Sequence, residues 1–336
     1  MKGAEAVRER NASAWLLPHD GSRTNHRLRA DMRRFAGDDE VDLVVVGAGA
    51  GGGVLTQRLA RAGWRVVCLD SGPFWDPDRD WVSDERGAHV LYWTEPRQIG
   101  GGDPVPLGSN NSGRGVGGSM VHFAGYVPRF HPSDFTTRSV DGVGADWPIG
   151  YHDLRPYYEA IERELPVAGE PWPWGEAHRY EYMRDYVHWA TLGTLCEYLP
   201  QAGNRVTLAD ETDRHGLPVA HFSYTRCDND QRLHRAATAS MEAILTAAGA
   251  SEVMTIDRYA HLVGGARMAT RAEDGVVDAD HRVFGLPNLY VVDGSILPTQ
   301  GAANPALTIM ALAARAADRL VALSRRGLAE REVTTS

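Results

Sequence analysis

The 336-residue sequence predicts an α/β protein in which one domain is built from both ends of the chain and a smaller α+β domain is inserted between them. Two observations predict this arrangement. A strand–turn–helix–strand pattern fills residues 41–70, and a strand–turn–helix pattern fills residues 289–320. The residues between these two regions differ in character, because they carry amphipathic helices and a hairpin pattern.

We expect the discontinuous domain to comprise residues 38–130 and 262–325, and the inserted domain residues 131–261. Residues 1–37 are polar and rich in arginine, and we expect them to form a helical or irregular extension. Since a domain typically has about 150 residues, the length of the chain suits two domains.

The first pattern predicts a βαβ unit. Residues 41–46 form a β-branched apolar run, as in a strand that is buried on both faces. The apolar residues of 54–62 have helical spacing, Gly63 suits the end of the helix, and residues 65–69 form a second apolar strand. These elements are those of a parallel strand pair with a crossover helix.

The turn after the first strand carries a dinucleotide-binding fingerprint. Gly47, Gly49 and Gly52 match the pattern G-x-G-x-x-G, which allows a tight turn, close approach of a pyrophosphate, and close packing of helix and strand. Asp70 lies 18 residues after Gly52, at the end of the second strand, where an acid binds the ribose hydroxyls. The sequence therefore predicts a Rossmann-like dinucleotide site.

The middle of the chain carries weaker patterns. Residues 100–119 contain too many glycines for a regular element and predict a loop. The spacing predicts amphipathic helices at 153–165 and 233–248, a hairpin at 205–224, a short helix at 26–35 and an aromatic loop at 171–175.

The C-terminal pattern predicts a buried strand at 289–292, a turn at 293–295 and a helix at 306–320. Asn304 followed by Pro305 is typical of an N-cap and a first helical position. Because the helix is apolar nearly all round, we expect it to be buried.

Composition excludes several classes of protein. The net charge of −9 argues against nucleic-acid binding, which needs a basic surface. No apolar run is long enough to predict a membrane span, and residues 1–14 do not resemble a secretory signal. Three cysteines without CxxC spacing predict neither a disulfide framework nor a metal site. We therefore expect a cytoplasmic protein.

Three blocks of sequence resemble the glucose–methanol–choline (GMC) family of flavin oxidoreductases. The first is the fingerprint at 44–52, and the second is the glycine-rich stretch at 113–122. The third runs from His261 through the residues 288–295 to the residues 304–308. Members of the family are longer than this chain, so the resemblance implies an internal deletion, which we place near residues 174–182.

The resemblance implies FAD as the cofactor, with three groups of binding residues. Gly47, Gly49, Gly52 and Asp70 would bind the ADP half; Gly115, Gly117, Gly118, Ser119 and His122 would lie along the flavin; Asp293 and Gly294 would approach the ribityl chain or pyrophosphate. His122 is either packed beside the flavin or covalently attached to it. Thr308, in the first turn of the last helix, would add a hydroxyl near the flavin.

The resemblance also implies an active-site pair, His261 and Asn304. The ordinary pKa of histidine lets His261 accept a proton from an alcohol near neutral pH while a hydride leaves for the flavin. The side chain of Asn304 would either bind the substrate oxygen or cap the helix, since it cannot easily do both. The substrate would be a small alcohol or sugar-like molecule, and the electron acceptor would be oxygen, a quinone or a cytochrome.

Three hypotheses about function remain open at this point. The first is an FAD-dependent oxidoreductase that acts on a CH–OH group. The second is a catalytically inactive, shortened flavoprotein-like remnant that binds FAD weakly or not at all. The third is an NAD-linked dehydrogenase, against which the second glycine block and the Asp293–Gly294 block argue.

Overall fold

A computed structural model describes residues 35–75, 80, 91–93, 95–105, 112–123, 125–165, 167, 192–213, 215–255 and 260–335. All but the last residue of the predicted helix at 26–35 lie outside this part of the chain. So do the predicted loop at 171–175 and the proposed deletion site near 174–182.

The described residues form an α/β structure of short strands and helices. In chain order these are β1 (Leu43–Val46), α1 (Ala50–Arg61), β2 (Val66–Leu69), β3 (Arg97–Gly100), α2 (Thr137–Asp141), α3 (Tyr151–Glu164), β4 (Arg205–Thr212), β5 (Pro218–Ser223), α4 (Asp228–Ala247) and α5 (Ala306–Thr335). Three short 3₁₀ helices, Gly118–Val121, Pro132–Phe135 and Gly294–Ile296, lie in the connections.

β1 and β2 form a parallel two-stranded sheet, with α1 as the connection between them. The register pairs Leu43 with Val66 and Val46 with Leu69. Both strands and the helix were predicted from the sequence. The helix begins at Ala50, earlier than predicted, because the glycines of the turn continue directly into its first turn.

The second sheet has three strands in the order β3-β5-β4. β4 and β5 are antiparallel and form the predicted hairpin, whereas β3 runs parallel to β5. The sequence did not predict β3, because Arg97–Gly100 has no alternation of apolar and polar residues. Its strand conformation depends on pairing with residues more than a hundred positions away.

α5 is the centre of the described structure and packs on both α1 and α3. Its first fifteen residues are buried almost throughout, as the sequence predicted, and the helix continues beyond the predicted end to Thr335. One apolar cluster joins α5 to α3 and to the segment around Phe130, and a second joins it to α1 and Val45. No described helix is long and apolar enough to cross a membrane.

The predicted buried strand at 289–292 is wrong. Within the described residues this segment makes a single isolated bridge, between Tyr290 and Arg282, and Leu289 is exposed. A β-branched sequence favours an extended chain, but a strand also needs a neighbour that offers a ladder of hydrogen bonds. Here the neighbour is a short irregular segment, so the chain is extended without forming a sheet.

The outer face of β1 is apolar and exposed. Val45 faces α1 and α5 and is 6% exposed, whereas Val44 is 52% exposed and Val46 84%. Leu69 at the end of β2 is 53% exposed. The expectation that this strand is buried on both faces is therefore wrong for the described residues, because α1 and α5 both pack on the face that carries Val45.

His281 is a buried histidine that predicts acid sensitivity. Its side chain is 0% exposed, and neither ring nitrogen has a hydrogen-bond partner. Burial, together with the positive charge of Arg315, lowers the pKa of His281 to about 3. The Arg315 guanidinium is held beside it by the Ala279 carbonyl oxygen, at 2.6 Å, and by Asp280.

We expect stability to fall as the pH drops below 6.5. Between pH 6.5 and 3 the unfolded chain binds a proton at this histidine and the folded chain does not, so the free energy of unfolding falls by up to about 1.4 kcal/mol per pH unit. Urea unfolding of the wild type and of His281→Asn between pH 7.5 and 5 measures this slope. His281 has a positive φ of 69°, which asparagine tolerates, and the asparagine side chain does not titrate. Equal slopes in the two proteins would contradict the assignment.

Candidate active site

Three glycine-rich segments that are distant in the sequence meet at the carboxyl end of β1. The Gly117 N–H donates to the Ala48 carbonyl oxygen at 2.9 Å, and a Cβ added to Gly118 would lie 3.1 Å from the Gly49 Cα. On the other side of the turn, Gly51 lies directly against the Val292 carbonyl oxygen. The structure therefore brings the three blocks identified in the sequence to one place.

The fingerprint turn leaves its outer side open. A Cβ added to Gly47, which has a φ of +91°, or to Gly49 would meet no heavy atom within 4 Å. At Gly52 it would lie 2.0 Å from the Gly47 carbonyl oxygen, so the close approach of helix and turn requires glycine there. The backbone of the turn and the N-terminus of α1 thus face free space, which suits an anionic group.

Asp70 ties the end of β2 to this turn. One carboxylate oxygen accepts from the Ala48 N–H at 2.9 Å, and the other accepts from the Gly72 N–H at 2.9 Å. Each oxygen keeps further acceptor capacity. Asp70 therefore has a structural role in the protein in addition to the ribose-binding role that the sequence predicts.

The second glycine-rich segment folds into a tight turn and the 3₁₀ helix Gly118–Val121. Gly115 and Gly117 have φ angles of +113° and +104°, which favour glycine, and the Ser119 hydroxyl accepts from the Gly113 N–H at 3.0 Å. His122 follows this helix. Its Nε2 atom is buried without a partner, and burial lowers the pKa of the imidazole.

The third segment connects the turn to His261. Asp293 accepts from the Ser295 N–H at 2.8 Å and so caps the 3₁₀ helix Gly294–Ile296. The Gly294 carbonyl oxygen accepts from the Gly264 N–H at 2.9 Å, which fixes the chain just after His261. A Cβ added to Gly294 would lie 3.1 Å from Ile309 Cδ1 and 3.3 Å from Val263 Cγ1, so a larger residue there requires these side chains to shift.

His261 and Asn304 form a side-chain pair, with His261 Nε2 and Asn304 Nδ2 3.0 Å apart. His261 has a φ of +58°, uncommon for a residue other than glycine. The remaining polar atoms, His261 Nδ1 and Asn304 Oδ1, are buried without partners. Burial lowers the pKa of His261, so its ring is neutral near pH 7.

Of the two roles considered for Asn304, capping of the last helix is not the one seen in the structure. α5 begins at Ala306, and the first carbonyl to accept a helical hydrogen bond is that of Pro305, from the Ile309 N–H at 2.9 Å. The Asn304 Oδ1 atom accepts no hydrogen bond. The amide faces His261 instead, which leaves it available for chemistry at the N-terminus of the helix.

Thr308 lies in the core between two helices. Its side chain is fully buried, and its hydroxyl is 2.7 Å from the hydroxyl of Tyr158 on α3. Burial raises the pKa of Tyr158. The hydrogen bond between Thr308 and Tyr158 therefore joins the first turn of α5 to α3. This geometry favours a packing role for Thr308.

Gly51 is a site residue that the sequence did not identify. It lies within the fingerprint but occupies a variable position of the pattern. Its importance comes from the Val292 carbonyl oxygen, which would lie 1.9 Å from an added Cβ. The run of consecutive glycines indicates close packing near Gly51. It does not identify the contact, because Val292 lies 241 positions further along the chain.

Parts of the chain are similar in sequence to known proteins. The family model described as GMC oxidoreductase matches residues 200–313. The chain is 34% identical over 148 residues to 2-methyl-1,2-propanediol dehydrogenase of Mycolicibacterium austroafricanum, a match that covers 39% of this chain and 25% of the relative. It is 35% identical over 140 residues to paromamine 6'-oxidase of Streptomyces fradiae, covering 40% of this chain and 26% of the relative.

A third relative, cholesterol oxidase of Acinetobacter baumannii, is 56% identical over 57 residues, which are 17% of this chain and 10% of the relative. The chain thus spans about a quarter, or less, of the length of these relatives.

Two solved structures share the fold. Pyridoxine 4-oxidase from Mesorbium loti aligns with a TM-score of 0.50 and 15% identity, over 83% of this chain and 99% of that chain. Formate oxidase of Aspergillus oryzae RIB40, solved in connection with modification of its FAD, aligns with a TM-score of 0.58 and 11% identity, over 87% of this chain and 100% of that chain. Residues 200–313 of this chain are thus similar to the GMC oxidoreductase family, and the relatives match over about two fifths of the chain or less.

Proposed function

We propose that the protein is an FAD-dependent oxidoreductase that oxidises a CH–OH group, with His261 as the base. The observation that carries this proposal is the pair formed by His261 and Asn304, 3.0 Å apart at the N-terminus of the buried helix α5. Backbone hydrogen bonds from Gly264 to Gly294, and the contact of Val292 with Gly51, link this pair to the fingerprint turn.

The residues present fit FAD. The outer side of the fingerprint turn is open, and His122 Nε2 is a buried polar atom without a partner in the second glycine segment. Three groups of residues would hold the cofactor: Gly47, Gly49, Gly52 and Asp70 the ADP half; Gly115, Gly117, Gly118, Ser119 and His122 the flavin; Asp293 and Gly294 the ribityl chain or pyrophosphate. FAD would supply the acceptor for the hydride that leaves the substrate carbon.

Asn304 and His261 would bind the substrate hydroxyl, and His261 would accept its proton. A substrate hydroxyl that takes the place of the hydrogen bond between Asn304 and His261 would accept from the Asn304 amide and donate to His261 Nε2. Because burial lowers the pKa of His261, the ring is neutral and ready to accept a proton at pH 7. The positive end of the α5 dipole would stabilise negative charge that develops beside it.

The substrate class we propose is a small alcohol or a sugar-like molecule, since the matched relatives carry the names of a diol dehydrogenase and a paromamine oxidase. Their names include both oxidases and dehydrogenases, so oxygen, a quinone and a cytochrome are all candidate electron acceptors.

The exposed outer face of β1 favours a second candidate, an inactive protein that binds FAD weakly or not at all. With Val46 84% exposed beside the fingerprint turn, the sheet that carries the site is covered on one face among the described residues. This candidate shares the fold and the site but lacks the chemistry.

An absorbance spectrum separates the two candidates. For the enzyme we expect flavin bands in the purified protein, or after addition of FAD, together with a higher melting temperature when FAD is present. A panel of diols and sugar alcohols added without oxygen should then bleach the flavin band. A protein that acquires no flavin band contradicts the enzyme proposal, and a flavin that no alcohol bleaches leaves a binding protein.

A further inference from the structure

The segment that leads into Asn304 is buried although it has no regular structure. Residues 296–301 are all buried, and they connect the 3₁₀ helix at Gly294–Ile296 to the start of α5. Irregular segments usually lie at the surface, because buried backbone groups need hydrogen-bond partners. The partners that this segment finds therefore determine where Asn304 is placed.

Side chains from other parts of the chain supply these partners. The Gly301 N–H donates to a carboxylate oxygen of Glu197 at 3.2 Å, and the Thr299 hydroxyl donates to the Asp134 carbonyl oxygen at 3.3 Å. The Thr299 hydroxyl also accepts from the Trp147 Nε1–H at 3.0 Å. Gly301 has a φ of +64° and packs against the ring of Phe130, so its position is closely defined.

Contacts of Leu199 with α4 and with Gly144 fix the backbone close to Glu197. Glu197 belongs to an irregular segment whose Leu199 N–H donates to the buried carboxylate of Asp230, at 3.1 Å, in the first turn of α4. The side chain of Leu199 packs against Gly144. Glu197 therefore connects the middle of the chain to the segment just before the active-site pair.

The surroundings of Glu197 destabilise the ionised form of its side chain. Burial raises its pKa, and the negative charges of Asp134 and Asp141 raise it further, whereas the hydrogen bond from the Gly301 N–H lowers it. That hydrogen bond offsets part of the cost of burying the carboxylate.

We propose that Glu197 is a positioning residue, which fastens the chain at Gly301 and thereby sets the distance between the Asn304 amide and the His261 imidazole. This inference rests on the proposed function for its catalytic consequence. The physical reason is that misplacement of a reacting group by about 1 Å can lower a rate by about a hundredfold. The hydrogen bond at Gly301 is three residues from Asn304, and among the described residues it is the nearest such contact on the N-terminal side of Asn304.

Two substitutions test the length of the Glu197 side chain and its charge independently. Glu197→Gln keeps the length and an acceptor oxygen but removes the charge, whereas Glu197→Asp keeps the charge but is too short to reach Gly301. Asp141→Asn is the matched control, because it removes a neighbouring charge without removing a contact to the segment.

The first measurement is hydrogen exchange at the Gly301 amide. In Glu197→Asp we expect exchange about tenfold faster than in the wild type, as for loss of one hydrogen bond to a charged acceptor, with amides in α5 unchanged. Glu197→Gln and Asp141→Asn should stay within about threefold of the wild type. Unchanged exchange in Glu197→Asp would overturn the proposal.

The second measurement is the ¹⁵N signal of the His261 ring, assigned by its loss in a His261 variant. We expect it to move in Glu197→Asp and to stay in Glu197→Gln. In protein with FAD bound, kcat for flavin reduction should fall about tenfold in Glu197→Asp with KM within about twofold. Faster exchange with an unmoved His261 signal would overturn the positioning role.

These readouts distinguish the two proposals. If no alcohol reduces the flavin of the wild type, the proposed function fails, while Gly301 exchange and the His261 signal still decide the role of Glu197. If the wild type reacts but Glu197→Asp matches it in kcat, the proposed function stands and the role of Glu197 fails.

Discussion

Replacement of His261 by asparagine is expected to lower the rate of flavin reduction by an alcohol by about a hundredfold to ten-thousandfold, the range for loss of a general base. Asparagine suits the φ of +58° at this position, so the backbone can keep its conformation. FAD should stay bound with an unchanged spectrum, because His261 is assigned to the substrate side of the site. Anaerobic stopped-flow absorbance measures the rate directly.

His152→Gln is the matched control, since His152 is exposed on α3. It should react at the wild-type rate. The pH profile gives a second check. A base must be deprotonated to act, and burial lowers the pKa of His261, so the acidic limb of kcat/KM should lie below pH 6.5. A rate within about threefold of the wild type in His261→Asn would remove the base assignment.

Replacement of Gly51 by alanine is expected to have the largest effect on stability. The added Cβ would lie 1.9 Å from the Val292 carbonyl oxygen and 3.0 Å from the carbonyl carbon, and a backbone carbonyl cannot move aside as a flexible side chain can. Either α1 or the segment before Gly294 must shift, which separates the fingerprint turn from the third block. We expect a loss of more than about 3 kcal/mol, as for severe overpacking, together with loss of FAD binding.

Gly53→Ala is the matched control for this substitution. Gly53 lies in the same helix, two residues further along, and an added Cβ would meet the Ala48 carbonyl oxygen at 3.5 Å, an ordinary contact. Because alanine favours a helix over glycine by about 1 kcal/mol, this variant should be as stable as the wild type or more so. Urea unfolding and FAD titration measure both variants, and equal stability of the two would show that the contact with Val292 is absent in solution.

Local sequence patterns predicted the elements whose stability is mostly local. The apolar runs at 41–46 and 65–69, the hairpin at 205–224 and the buried helix that begins near 306 all appear in the structure. Two of the fingerprint glycines meet a local demand for glycine: Gly47 has a φ of +91°, and Gly52 lies against the Gly47 carbonyl oxygen.

The errors arose where a partner lies far along the chain. Residues 289–292 have strand-forming side chains, but no strand among the described residues pairs with them. Asn304 has the sequence of an N-cap, yet its amide pairs with His261, 43 residues earlier. In both cases the local pattern carries no information about the tertiary surroundings that decide the outcome.

The sequence by itself determined the α/β class, the glycine turn with its acid at Asp70, and the resemblance to the GMC family, since each depends on residue types at fixed spacing. Tertiary structure alone decided that Gly51 faces Val292, that the Thr308 hydroxyl is bonded to Tyr158, and that Glu197 fastens Gly301. The reason is physical. Spacing along the chain encodes which way a side chain points within its own element, whereas the partner that it meets depends on how separate elements pack.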